Sequence, residues 1–152
     1  FSAYLHPFGE NQLFGLGYDA DEETGITTGL KLSLFDTQDP VHVQEIARRV
    51  LPGITWCPAV EEYKSIFADA ARGLVGFWCS DRYLVFAPDG EEGFDLLLLY
   101  DFMEDDLMGD SDYSSMRGLY IGDEFYLAGS SFVIAFDMND GFRKEAVLHI
   151  DD

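Results

Sequence analysis

Three apolar runs in this chain end alike, with an aromatic residue followed by Asp: LSLFD at residues 32–36, LLLYD at 97–101 and VIAFD at 133–137. Turn-forming or acidic residues follow each of them at once, as TQDP, FMEDD and MNDG. A second echo lies nearby, because PFGENQLFGLGYD at 7–19 can be laid over YIGDEFYLAGSS at 120–131. Both pass from an aromatic or aliphatic residue through Gly and an acid to an apolar strand. The Gly-acid step suits a tight turn with φ > 0 joining two antiparallel strands. In the middle of the chain, KSIFADAARGLVGFWCS at 64–80 offers a third version, its turn built from residues 69–73.

These echoes divide the chain into three units, near residues 1–53, 54–110 and 111–152. Each is expected to hold a strand, a tight turn, a second strand, a longer loop, an apolar third strand ending in aromatic-Asp, and a variable tail. Repeating meanders of about four strands per 40–50 residues are the signature of propeller blades. The expected fold is therefore all-β: three consecutive four-stranded antiparallel blades, a partial propeller forming one domain over residues 1–152. Composition agrees, since aromatics make up 15% of the chain and fifteen Gly punctuate it, a mixture that favours strands and turns over a helical bundle. The loops at 20–28 and 104–115 are read as blade insertions. Two stretches carry a helical period instead. VHVQEIARRVL at 41–51 places Val43, Ile46, Ala47, Val50 and Leu51 on one face, and YKSIFADAARGL at 63–74 does the same for Tyr63, Ile66, Phe67, Ala70, Ala71 and Leu74. The repeat overrules both.

The first 46 residues resemble the β-propeller domain family of secreted bacterial and archaeal proteins distantly related to WD repeats. A blade of that family reads His-Pro, a Gly-rich strand, a Gly and Asp/Glu-rich loop, then Gly-Leu-Lys-Leu-Ser-Leu-Phe-Asp and Asp-Pro. Here these stand as His6-Pro7, residues 14–18, residues 19–28, residues 29–36 and Asp39-Pro40. The match is close over about residues 1–53 and thins afterwards: at 62–66 this chain reads EYKSI, keeping the family's Lys but not its His. RGLYIGDEFYLAGSSFVIAFD at 117–137 again looks like a family blade. The resemblance implies that 41–51 is an outer strand, that 64–79 is a strand-turn-strand, and that the protein is extracytoplasmic, secreted or surface-attached. It supplies no catalytic residues. Three blades do not close a ring, so the remaining blades belong to a longer parent protein, or two copies pair as a homodimer into a six-bladed ring.

Nine basic residues against 29 acidic ones leave a net charge of −20, which repels phosphate backbones and anionic membrane surfaces. Nucleic acid is thereby disfavoured, while cations, cationic peptides and neutral glycans remain open. No apolar run of about 18 residues offers a membrane span. The chain opens at Phe1 without Met or a signal peptide, which reads as a segment cut from a longer protein. Cys57 and Cys79 lack zinc-ligand spacing; one bridge and two buried thiols are both open readings.

Candidate chemistry is sparse. The three His (His6, His42 and His149) lie in no nucleophile motif, His6 near a strand end and the others in outer-strand positions. Acids are too plentiful to single out a glycosidase pair, and the GLG at 15–17 lies inside a strand. Clustered oxygens suit calcium, and the loop at 101–115 supplies Asp101, Glu104, Asp105, Asp106, Asp110 and Asp112 without EF-hand spacing; DADEETG at 19–25 is a weaker version. No cofactor is required by any of this. Trp56, Trp78 and Tyr83 can stack on a sugar or peptide or wedge between blades; Trp78 is assigned to the core and Trp56 is kept as a ligand-binding candidate. The expected function is a non-catalytic binding or scaffold module with a protein or glycan ligand. A carboxylate-dependent hydrolase or lyase at the propeller mouth and a purely structural surface domain are the rivals.

Overall fold

The structure, a computed structural model, describes residues 2–89, 93–107 and 115–150. Its strands fall into three antiparallel sheets of four, each in simple meander order. Blade 1 comprises β1 (Ser2–Pro7), β2 (Gln12–Ala20), β3 (Thr27–Asp36) and β4 (Gln44–Pro52). Blade 2 comprises β5 (Phe67–Asp69), β6 (Leu74–Cys79), β7 (Arg82–Asp89) and β8 (Gly93–Asp101). Blade 3 comprises β9 (Arg117–Ile121), β10 (Glu124–Ala128), β11 (Phe132–Asp137) and β12 (Arg143–His149). This is the expected all-β set of three four-stranded units.

Both segments of helical period are overruled as the repeat demanded. Residues 44–52 form the outer strand β4, paired with β3 from Gly29↔Pro52 to Asp36↔Gln44. In the other segment only a 3-10 turn, Tyr63–Ser65, is helical, and strand β5 follows it. The hairpin glycines behave as the Gly-acid echo required: Gly9 and Gly122 stand at φ 87° and 62°.

One expectation needs correction. LLLYD ends β8, the fourth strand of blade 2, whereas LSLFD and VIAFD end third strands. The third strand of blade 2 is β7, which ends in Ala87-Pro88-Asp89. What the three Asp share is therefore a turn and not a strand number. Each folds its carboxylate back onto the backbone two residues on: Asp36 accepts from the Gln38 N–H at 2.8 Å, Asp101 from Met103 at 2.9 Å and Asp137 from Asn139 at 2.8 Å. Such Asx turns form wherever a strand must stop.

Two apolar cores lie between the blades. The first sandwiches Phe14, Leu16, Leu30, Leu32 and Leu34 of blade 1 against Val75, Phe77, Leu84, Phe86 and Phe94 of blade 2. Alternation then sends Tyr83, Val85, Leu98 and Tyr100 to the other face of blade 2, against Phe125, Phe132, Ile134 and Phe136 of blade 3. Polar links reinforce each seam. Arg49 lies over the Phe86 ring and donates to the Phe94 carbonyl; Lys144 of β12 donates to Asp105 at 2.6 Å and lies over the Tyr100 ring.

All three outer strands carry a bulge at the corresponding place. Pairing steps from Leu34↔Ala47 to Phe35↔Glu45, from Val85↔Leu98 to Phe86↔Leu96, and from Ala135↔Ala146 to Phe136↔Lys144. One residue of each outer strand is left over: Ile46, Leu97 and Glu145. A bulge at an edge discourages pairing with a foreign strand.

Candidate functional site

The Leu97 bulge has a chemical consequence. In an unbroken strand Leu96 and Leu99, three apart, would point to opposite faces. The extra residue brings them to one face, opposite Phe86 and Leu84 respectively. There they border an open cleft of about 350 Å³, whose other walls are Leu51 and Pro52 at the end of β4, Ile54, and Cys79 to Arg82 around the β6–β7 turn. Leu96 and Leu99 are 40% and 48% exposed, and the outer strands β4 and β12 likewise leave Ile46 and Leu148 exposed. Ser80 turns the chain at φ 57°, and its carbonyl accepts from the Trp78 indole N–H at 2.6 Å. Arg82 stands at the rim, 3.8 Å from both Asp81 and Asp101. An apolar floor edged by Arg82 and the acids Asp81 and Asp101 can hold an apolar side chain beside a charged or hydrogen-bonding group.

The acidic loop is spent largely on the fold. Asp101 caps the 3-10 turn Phe102–Asp105. Asp105 takes hydrogen bonds from Lys144 and from the Tyr100 hydroxyl, and these, the Lys144 bond foremost, hold its carboxyl below the usual carboxylate range. Burial first, then the bond to Asp105, pushes the Tyr100 phenol up. Glu104 is exposed and Asp106 turns the chain at φ 55°, while Asp110 and Asp112 lie outside the described residues. Among the described residues no three His, Cys, Asp or Glu side chains gather closely enough to hold a metal ion.

The loop at 19–25 is likewise self-satisfied. Asp21 accepts from the Thr24 N–H and hydroxyl, both at 2.8 Å, which lowers its carboxyl, and Asp19 pairs with Arg48. Asp39 accepts from the Val41 N–H at 2.9 Å and meets His42 Nδ1 at 2.7 Å; His42 stands in the turn before β4, not within the outer strand. His6 Nδ1 lies 2.7 Å from the Tyr4 hydroxyl on β1, and His149 ends β12. Trp56 is 60% exposed, whereas Trp78 is half-buried against the second core and Tyr83 is wholly inside it. Among the described residues, the structure thus does not gather the acids singled out in the sequence into one site. Leu96, Leu99 and Arg82 were missed, although a run of four leucines in an edge strand was the available signal.

Three stacked meander sheets with bulged outer edges accord with one further finding: a family model described as a β-propeller domain matches residues 1–141. The chain belongs to the β-propeller domain family. This propeller segment is 27% identical over 139 residues to an uncharacterised protein of Archaeoglobus fulgidus, covering 91% of the chain and 19% of that protein. It is 30% identical over 106 residues to an uncharacterised protein of Methanocaldococcus jannaschii, covering 64% of the chain and 16% of the relative. The segment thus spans less than a fifth of the length of either relative.

Proposed function

We propose that this propeller segment is a non-catalytic binding or scaffold module whose contact surface is the cleft between blades 1 and 2. The observation that carries the reading is the pair Leu96 and Leu99, held half-exposed on one face by a bulge beside an apolar hollow of about 350 Å³. The ligand is a peptide segment with an apolar anchor and basic flanks, because the net charge of the chain is −20 and opposite charge both steers and selects a partner. A neutral glycan is the alternative. The setting we propose is extracytoplasmic, secreted or surface-attached, following the family resemblance of residues 1–53.

The test uses an uncharged solvatochromic dye and a panel of Lys-flanked apolar peptides and neutral oligosaccharides. Saturable binding that weakens at least tenfold in Leu96→Glu and Leu99→Glu supports the reading. Binding unaffected by both substitutions, or none, refutes it; oligosaccharides binding in place of peptides would move the ligand class to glycans.

Two faces of the segment stay open, and we propose that a second copy closes them into a six-bladed ring when the segment stands alone. Blade 1 ends in a hollow of about 330 Å³ lined by Leu5, Leu13, Phe35 and Val43, and blade 3 exposes Leu119, Ile121 and Leu148. Light scattering that reports a monomer at micromolar concentration would refute the pairing.

A further inference from the structure

Cys57 and Cys79 are fully or nearly fully buried in the core between blades 1 and 2. Cys57 sits in the connector just before the 3-10 turn Pro58–Val60, and Cys79 ends β6. Their contacts are reciprocal. The Cys57 thiol donates to the carbonyl of Trp78 at 3.5 Å, and the Cys79 thiol to the carbonyl of Trp56 at 3.9 Å, so each sulfur reaches the residue that precedes the other cysteine. This crossed arrangement lays the two segments side by side and brings both sulfurs into one space. The connector is also fastened to blade 1, where the Cys57 N–H donates to the Tyr18 hydroxyl at 3.0 Å.

We propose that Cys57 and Cys79 are the two halves of a redox-formed cross-link that fastens the connector between blades 1 and 2 to the second strand of blade 2. A buried cysteine serving only as a small apolar side chain has no need of a second one against it. The neighbouring Cys79 thiol, then burial, push the Cys57 thiol up, which keeps Cys57 protonated and slow to react. Cys79 provides the entry, because it also forms part of the wall of the open cleft.

The oxidant is a low-molecular-weight disulfide. The Cys79 sulfur, after losing its proton, attacks one sulfur of that disulfide, forms a mixed disulfide and releases one thiolate. The deprotonated Cys57 sulfur then attacks the Cys79 sulfur, forming the Cys57–Cys79 bond and releasing the second thiolate. Two protein S–H bonds are lost and one S–S bond is gained. The two electrons reduce the small disulfide to two thiols, which take up the two protons.

The experiment incubates the folded chain with oxidised glutathione from pH 7 to 9 and reads intact mass, thiols titratable in denaturant, and Tm. The expected result is a mass lower by about 2 Da, a fall from two thiols to none, and a Tm higher by about 7–14 °C. That shift is the size expected when a loop of about 23 residues is closed in the unfolded chain. A phosphine reductant should reverse all three, and Cys57→Ala and Cys79→Ala should each abolish the Tm rise. Persistence of both thiols, a disulfide-linked dimer, or an unchanged or lower Tm on oxidation would overturn the proposal. Mass and thiol count of the unsubstituted chain decide this even where a variant fails to fold.

Discussion

Gly118 and Tyr83 meet across the seam between blades 2 and 3, and exchanging their atoms tests that packing. Gly118 lies in β9, and a Cβ built on it would stand 2.4 Å from the Tyr83 hydroxyl oxygen, 2.8 Å from Phe125 Cζ and 3.2 Å from Tyr83 Cζ. Neither ring has room to retreat: both residues are fully buried, their centroids 6.0 Å apart. Gly118→Ala should therefore cost about 1–3 kcal/mol through overpacking. The Tyr83 hydroxyl is itself buried with no hydrogen-bond partner among the described residues. Its deletion in Tyr83→Phe should accordingly be neutral or stabilising, by up to about 1 kcal/mol, since an unmade buried hydrogen bond carries a desolvation cost. Combining the two removes the tightest of the three contacts and leaves those to Phe125 Cζ and to Cζ of residue 83. The double variant should then be more stable than the sum of the singles by at least about 1 kcal/mol. Equilibrium urea unfolding reads each corner of the cycle from its midpoint, with the slope m unchanged. Additivity within about 0.3–0.5 kcal/mol would refute the packing described here, because the hydroxyl would then not be what excludes the methyl group.

Three further outcomes rest on other contacts. Asp36→Ala, Asp101→Ala and Asp137→Ala each lose a side-chain bond to the backbone two residues on. Each should cost about 0.5–2 kcal/mol by analogy with lost caps, and Asp36→Ala and Asp137→Ala should leave dye or peptide binding intact; binding lost in either at unchanged urea midpoint would show that it touches ligand. Asp105 is held below its ordinary value in the folded chain by Lys144 and Tyr100, so the folded state binds fewer protons there than the unfolded state. That stability is present above about pH 3.9, the unfolded value, and is lost as pH falls through the lower folded value. Asp105→Asn should flatten the acid limb of a stability-against-pH profile, and an unchanged limb would contradict the link. Replacing calcium by a chelator tests the acidic loop: a site at 100 times its Kd adds about 2.7 kcal/mol, so a Tm shift below about 1 °C would remove the metal reading. A larger shift would show that Asp110 and Asp112 complete a site with Asp101, Glu104 or Asp106.

Strand content and blade count were written in local pattern. Period-2 runs such as residues 30–35, hairpin glycines such as Gly9 and Gly122, and the recurring aromatic-Asp ends depend on neighbours a few residues away, and such signals survive in the bare sequence. The same locality explains the misplacement of LLLYD. An aromatic-Asp ending marks a strand that stops in an Asx turn, and nothing in five residues says whether that strand is third or fourth in its sheet. The helical period of residues 41–51, which the repeat overruled, has a related source: a strand with a bulge at Ile46 shifts its alternation by one, which imitates a longer period.

What tertiary structure alone decided is every contact between blades. The register of β7 against β8 determines that Leu96 and Leu99 share a face, and the stacking of blade 1 on blade 2 turns that face into a cleft. Asp105 looked like a candidate metal ligand because acids cluster around it in sequence; Lys144, 39 residues later, uses it as an ion-pair partner. The approach of Cys57 to Cys79 depends likewise on a connector laid across β6. Sequence neighbours determine which strands form and where they stop, because backbone geometry and alternation act over a few residues. Which charges are cancelled, which leucines are left open and which thiols meet are settled by packing between segments far apart in the chain.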